Sequence, residues 1–287
     1  MAVRKPTPWN TRLWLTYEDS FNIQWDEGQP SATEKYAKVF GLDVKTFMDG
    51  VSSQSGVDSF FNASTVCTSD ADCDASFCGI RTNATSGYCI APWYGFSHAW
   101  APAALNEKEP RCPVTFNGVT FQPMDLEGLI TAVYSAANIS TVFTGHRFNG
   151  DDYSVDQYGR ILDPTYRDLN PGFAHIAAAN MLGRLNTPFI IDGNTDYPVW
   201  NIAVGRFEVY NQTAMTPAEA AQKFYAVDSY PFNDAAKGIF HVLSRLSWGN
   251  ETFAYSNGTL ADPSLNANQN SGEDYELLVV SEWEARC

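Results

Sequence analysis

The hydrophobic pattern of this chain changes period once along its length, and that change limits the folds open to it. Up to Leu185 the apolar residues recur at helical spacing or follow no period; from Asn186 onward they alternate. Helices first and strands mostly last, without strand-helix-strand alternation, imply an α+β architecture built on an antiparallel sheet. The spacing predicts strands over Asn186–Asp192 and Val199–Tyr210, joined by a Gly-Asn-Thr-Asp turn, and further strands over Ile239–Trp248 and Tyr275–Trp283. Between them Thr216-Pro217-Ala218-Glu219 forms a capping box for a helix reaching Val227. Upstream, an aromatic lead-in with Trp9, Trp14, Tyr17, Phe21 and Trp25 precedes a helix opened by Ser31 to Glu34 and a shorter one over Asp43–Val51. Asp125 is placed to cap a helix with Leu129, Ile130, Val133 and Tyr134 on its apolar side. Asn170-Pro171 is placed to start another, running to Leu185 and apolar nearly all round, hence expected to be buried.

The six cysteines stand at positions 67, 73, 78, 89, 112 and 287, five of them in one short region. Six Asn-x-Ser/Thr acceptors begin at Asn62, Asn83, Asn138, Asn211, Asn250 and Asn257. Together they predict a secreted glycoprotein with disulfides, whose pairing spacing alone leaves open. Zinc is disfavoured, because the cluster has no C-x-x-C spacing. A net charge of -15 argues against nucleic acid or an anionic membrane as partner, and no apolar run reaches the length of a membrane span. With 44% hydrophobic residues the chain can bury a core as one domain over 1–287: a lead-in over 1–54, disulfide-rich loops with the candidate nucleophile over 55–112, and a helix-and-sheet core over 113–287.

The candidate chemistry begins in WYGFSHAWAPAA, Trp93 to Ala104. It has the outline of a thiol-enzyme nucleophile segment with Ser97 where the thiol would stand. Gly95 lets backbone approach closely, and a helix starting at Ser97 would present unpaired N–H groups and a positive end to an oxyanion. Pro102 argues against a long undisturbed helix there. For a base and its orienting group, His175 in the apolar helix and Asp192 at the end of PFIID follow Ser97 in an order that suits a nucleophile, a base and an orienting carboxylate. His98, His146 and His241 are the alternative imidazoles. Read singly, His175 is equally well a core histidine with its hydrogen bonds satisfied.

A resemblance sharpens this reading. VWNIAVGRFEVYNQTAMT, Val199 to Thr216, resembles the surface elicitor motif of the oomycete transglutaminase elicitors, and EKYAKVFGLDV, CTSDADC, NGVTFQP, TVFTGHRFNG and SRLSW extend the likeness over most of the chain. The resemblance implies a papain-like or transglutaminase-like core and a secreted, calcium-dependent protein-glutamine γ-glutamyltransferase that joins Gln to Lys through an acyl-enzyme. It places Ser97 at the catalytic cysteine, and with it Trp200 and Asn201 in a motif that a plant immune receptor recognises. Ca²⁺ is implied by the family; the candidate carboxylates are Asp70, Asp72 and Asp74 in one acidic loop and Asp151, Asp152 and Asp156 in another. Serine at position 97 predicts little cross-linking, because a hydroxyl is a poorer nucleophile and leaving group than a thiolate. Ala203 stands where the family motif has proline, and Gly205-Arg206 inverts its Arg-Gly. A family histidine in a later His-Pro-Asp-Phe-Leu-Trp run would displace His175 from the base role. Two other readings stay open: a serine hydrolase using Ser97, His175 and Asp192, and a non-catalytic surface protein recognised by plant immunity.

Overall fold

The structure, a computed structural model, describes residues 1–138, 140–145, 154–164, 169, 171–193, 198–262 and 271–282. The lead-in is extended: β1 (Ala2–Val3) and β2 (Thr11–Arg12) alternate with aromatic anchors, and Trp9, Trp14 and Phe21 are buried. Helix α1 (Ala32–Val39) starts where expected, with Ser31 Oγ accepting the Glu34 N–H at 3.2 Å. Helix α2 (Val44–Ser55) is capped by Asp43, which accepts the Thr46 N–H at 2.8 Å. The cysteine-rich region holds a small sheet of β3 (Val66–Cys67), β4 (Phe77–Gly79) and β5 (Gly87–Ile90), in the order β3-β5-β4. Disulfides Cys67–Cys78 and Cys73–Cys89 staple it. They take up the three clustered sulfurs of Cys67, Cys73 and Cys89, which leaves none of them as a metal ligand.

Helix α3 (Ser97–Asn106) is followed by a hairpin, β6 (Val114–Phe116) and β7 (Val119–Phe121), and by α4 (Pro123–Ala136). Two expectations need correcting here. Helix α3 continues past Pro102 to Asn106; one missing N–H is outweighed by burial of Ala101, Ala103 and Ala104 against α4 and the sheet. Asp125 is not the cap of α4. It sits at the third helical position, where its carboxylate takes the Gln122 N–H at 2.7 Å and is buried against Lys35. That turns Met124, Gly128 and Thr131 to the core, while Val133 faces solvent.

Helix α5 (Pro171–Ala178) widens into a π-helical turn over Ala179–Arg184. It is not buried all round: Ala178 and Leu182 pack on the sheet, whereas Phe173 and Ile176 are exposed. The predicted Asn170 cap lies outside the described residues.

The sheet comes last, as the change of period requires. Strands β8 (Phe189–Asp192), β9 (Asn201–Met215), β10 (Gly238–Gly249) and β12 (Ser271–Ser281) join β1 in one antiparallel sheet, with α6 (Pro217–Tyr225) after β9 and β11 (Glu251–Thr252) after β10. β9 is the spine: β10 pairs along one side, β8 and β1 along the other. Its ladder to β10 slips one residue between Val204 and Arg206, so Val204 and Phe207 face the same side. That side holds Ala178 and Leu182 of the α5 segment. Ala203, pointing the other way, packs with Trp9 and Trp100 under α3. The sheet thus separates α3 from α5, and this arrangement decides the geometry of the site. Among the described residues no helix is long and apolar enough to cross a membrane. The sequon asparagines Asn62, Asn83, Asn138, Asn211 and Asn257 are exposed, and Asn250 is half-buried.

Candidate functional site

Ser97 is the first residue of α3, following Phe96 as cap residue. The segment before it is pinned to the lead-in: the Thr16 N–H donates to the Tyr94 carbonyl at 2.9 Å, and a Cβ on Gly95 would stand 3.4 Å from the Trp14 carbonyl oxygen. With the chain held there, Ser97 presents its hydroxyl towards the start of β9. Its Oγ accepts the Asn201 backbone N–H at 3.3 Å and the Asn201 Nδ2–H at 3.1 Å. Asn201 is the cross-strand partner of Asp192, whose Oδ1 accepts the Trp200 N–H at 2.8 Å. Trp200 is itself half-buried.

Ser97, Asn201 and Asp192 are therefore brought together, and His175 is not. The His175 ring meets Phe207 edge to face at 5.5 Å, on the far side of β9 from α3. Alternation along β9, reset by the one-residue slip at Gly205, sends Asn201 and Ala203 to one face and Phe207 to the other. The sequence expectation of a Ser97-His175-Asp192 triad is corrected by this placement. Neither chain order nor apolar surroundings reveal which face of a sheet a helix will cover. The His175 Nδ1 is buried without a partner, and burial lowers the pKa of the ring. Of the other imidazoles, His98 lies against the Phe96 ring at 5.6 Å, His241 pairs with Glu276 at 2.7 Å on β10, and His146 lies outside the described residues. Among the described residues no histidine hydrogen-bonds to Ser97.

Ser97 opens onto a cleft of about 10 Å³, walled by Trp14, Trp93, Val199 and Trp200. Glu251 also lines it, and sequence reasoning missed that residue. Its only sequence signal was membership of the Asn250 sequon, which reads as surface. In the structure Asn250 Oδ1 accepts the Glu251 N–H at 3.0 Å, and β11 lies parallel to β2 with Glu251 opposite Thr11. The carboxyl is thereby turned inward. Burial raises its pKa well above the ordinary glutamate value, and Oε1 has no hydrogen-bond partner.

Among the described residues, those expected to hold Ca²⁺ do not form a calcium cage. Asp72 takes the Thr68 N–H at 2.7 Å and the Ser69 N–H at 3.1 Å, while Asp70 takes the Cys78 N–H at 2.7 Å. Hydrogen bonding to Thr68 holds Asp72 below the usual carboxylate range. Asp156 closes its own turn on the Tyr158 and Arg160 N–H groups, and Asp74 is exposed. Asp151 and Asp152 lie outside the described residues. Among the described residues no cluster of three or more carboxylates or imidazoles converges as a metal site would require.

Comparison with known proteins accords with the fold. The family model described as transglutaminase elicitor matches residues 1–285. The crystal structure of the GP42 transglutaminase from Phytophthora sojae superposes with a TM-score of 0.81 at 49% sequence identity, over 96% of this chain and 74% of that one. A search of curated proteins finds no match.

Proposed function

The chain belongs to the transglutaminase elicitor family, and from that premise we propose that it is an acyl-transfer protein whose reacting centre carries a hydroxyl, Ser97, in place of the thiol. The observation that carries this reading is the Ser97 Oγ at the start of α3, held by two N–H groups of Asn201 beside a tryptophan-walled cleft. With a thiol at that position, the helix end and the same two donors would favour the thiolate, which needs no base to attack a glutamine carboxamide. A hydroxyl needs a base to become a comparable nucleophile. None contacts Ser97 among the described residues, so cross-linking of Gln to Lys by the chain as written is weak or absent. The same lack argues against the serine hydrolase reading.

The remaining parts of the reading follow the family. The protein is a secreted, disulfide-bonded glycoprotein acting on protein substrates that bear Gln and Lys, and the strand from Val199 to Thr216 is the segment a plant receptor would read. That segment is the core strand β9; its half-buried start lines the cleft, and Tyr210 to Ala214 are its exposed stretch. Recognition of the folded protein would therefore begin at the exposed half. Calcium dependence rests on the family alone, and no step is assigned to the ion.

The test is Ser97→Cys. The variant is expected to incorporate a fluorescent amine into a glutamine donor protein at least ~100-fold faster than the parent, with calcium supplied. If it incorporates none, with or without calcium, the acyl-transfer reading is wrong and a purely recognised surface protein remains.

A further inference from the structure

Two groups face the small cleft from opposite parts of the fold. Ser97 comes from the start of α3, and Glu251 from β11, which the lead-in strand β2 holds in place. The cleft measures about 10 Å³, close to the space one water molecule occupies. Both side chains belong to its lining. Glu251 is buried and its Oε1 lacks a partner, a costly arrangement for a residue that only fills space. The Trp14 indole N–H, on another residue of the wall, is likewise buried without a partner. No imidazole takes this position among the described residues, because the sheet sets His175 apart.

We propose that Glu251 is the acid of this cleft: it holds the carboxamide nitrogen of the glutamine substrate and gives it a proton as it departs. The inference rests on the acyl-transfer reading above. With a thiolate at position 97, the sulfur attacks the carboxamide carbon and forms a C–S bond. The C–N bond then breaks while the Glu251 proton passes to nitrogen, so neutral ammonia leaves and Glu251 is left as a carboxylate. An incoming lysine amine attacks the thioester, its surplus proton returns to Glu251, and the C–S bond breaks to restore the thiolate. Protons and electron pairs balance over the cycle without another reactant. Burial lifts the Glu251 carboxyl well above its ordinary range and so favours its protonated form, the form an acid needs.

The experiment compares leaving groups in the Ser97→Cys protein. Adding Glu251→Gln is expected to lower kcat for ammonia release from a glutamine peptide by at least ~100-fold, with KM changed less than about threefold. The same double variant should be acylated by a p-nitrophenyl ester at the rate of Ser97→Cys alone, because nitrophenolate leaves without a proton. It should also react with iodoacetamide at that variant's rate. Unchanged ammonia release overturns the proposal, and so does an equal loss with amide and ester, which marks Glu251 as structural. Should Glu251→Gln fail to fold, Glu251→Asp keeps the acid, draws it back by one methylene and carries the same comparison: slower amide, unchanged ester. If Ser97→Cys itself reacts with neither donor, the acyl-transfer reading falls first and this inference falls with it.

Discussion

Ser97 owes its chemistry to two neighbours from opposite ends of the sequence scale. Gly95 is two residues away, where a Cβ would stand 3.4 Å from the Trp14 carbonyl oxygen in ordinary contact. Asn201 is more than a hundred residues away, and nothing in its own segment points to the hydroxyl it holds. Its Nδ2–H is aimed at the reacting atom, where a donor stabilises charge that develops on sulfur or on the substrate oxygen. In the Ser97→Cys protein, Asn201→Ala is therefore expected to lower kcat/KM for amine incorporation by roughly 100-fold, the scale of a lost oxyanion-type donor. An unchanged kcat/KM would show that the side chain serves only strand packing. Asp192 was legible as a carboxylate out of place at the end of an apolar strand. His175 was not legible as the wrong base, since its sequence context suits either face of the sheet.

Elements were read from sequence where a local signal names them and misread where packing decides. Ser31 and Thr216 cap the helices they were expected to open, and Asp43, read as the first residue of its helix, is the cap of α2. The β6–β7 hairpin escaped prediction although Asn117-Gly118 announces it; both residues have positive φ, 48° and 78°, as its turn demands. The orientation of α4 escaped for a different reason. Its core face is set by Trp14, which lies so close to Gly128 that an added Cβ would meet the indole Cη2 at 2.7 Å. Gly128→Ala is expected to destabilise the protein by about 1–3 kcal/mol, the usual cost of overpacking. Because Trp14 also walls the cleft, the same change should slow ester acylation of the Ser97→Cys protein. A chemical denaturation curve within 0.5 kcal/mol of the parent would show that the indole has room to move.

Across the whole molecule, burial of acids ties stability to pH. The Glu127 carboxyl is pushed up to about 8 from 4.5, chiefly by burial, with the Thr11 hydroxyl opposing and Glu109 adding to the shift. In the unfolded chain this group ionises near 4.5, whereas the folded protein keeps its proton until about 8. Its contribution is fully present below the lower value and lost as pH rises through the upper one. Between them unfolding releases a proton, and the free energy of unfolding falls by about 1.4 kcal/mol per pH unit from this group. Glu127→Gln is expected to remove that slope in urea titrations across the window. A slope equal to the parent's would mean that Glu127 is ionised in the folded state. Glu251 is raised in the same direction by burial, so the Glu127→Gln variant keeps whatever pH dependence Glu251 contributes.

Periodicity, caps and cysteine spacing act over a few residues, and they determined by themselves that helices precede an antiparallel sheet and that a disulfide region stands before Ser97. Which groups meet across the sheet was decided by tertiary structure alone. A bulge beside Gly205, a parallel pairing of β11 with β2 and the indole of Trp14 each depend on residues far apart in the chain. The alternation of a strand fixes that neighbouring side chains point to opposite faces, but only the packed partners fix which face is which. That is why Asp192 came to lie beside Asn201, His175 stayed on the far face, and Glu251, inconspicuous in its sequon, turned inward.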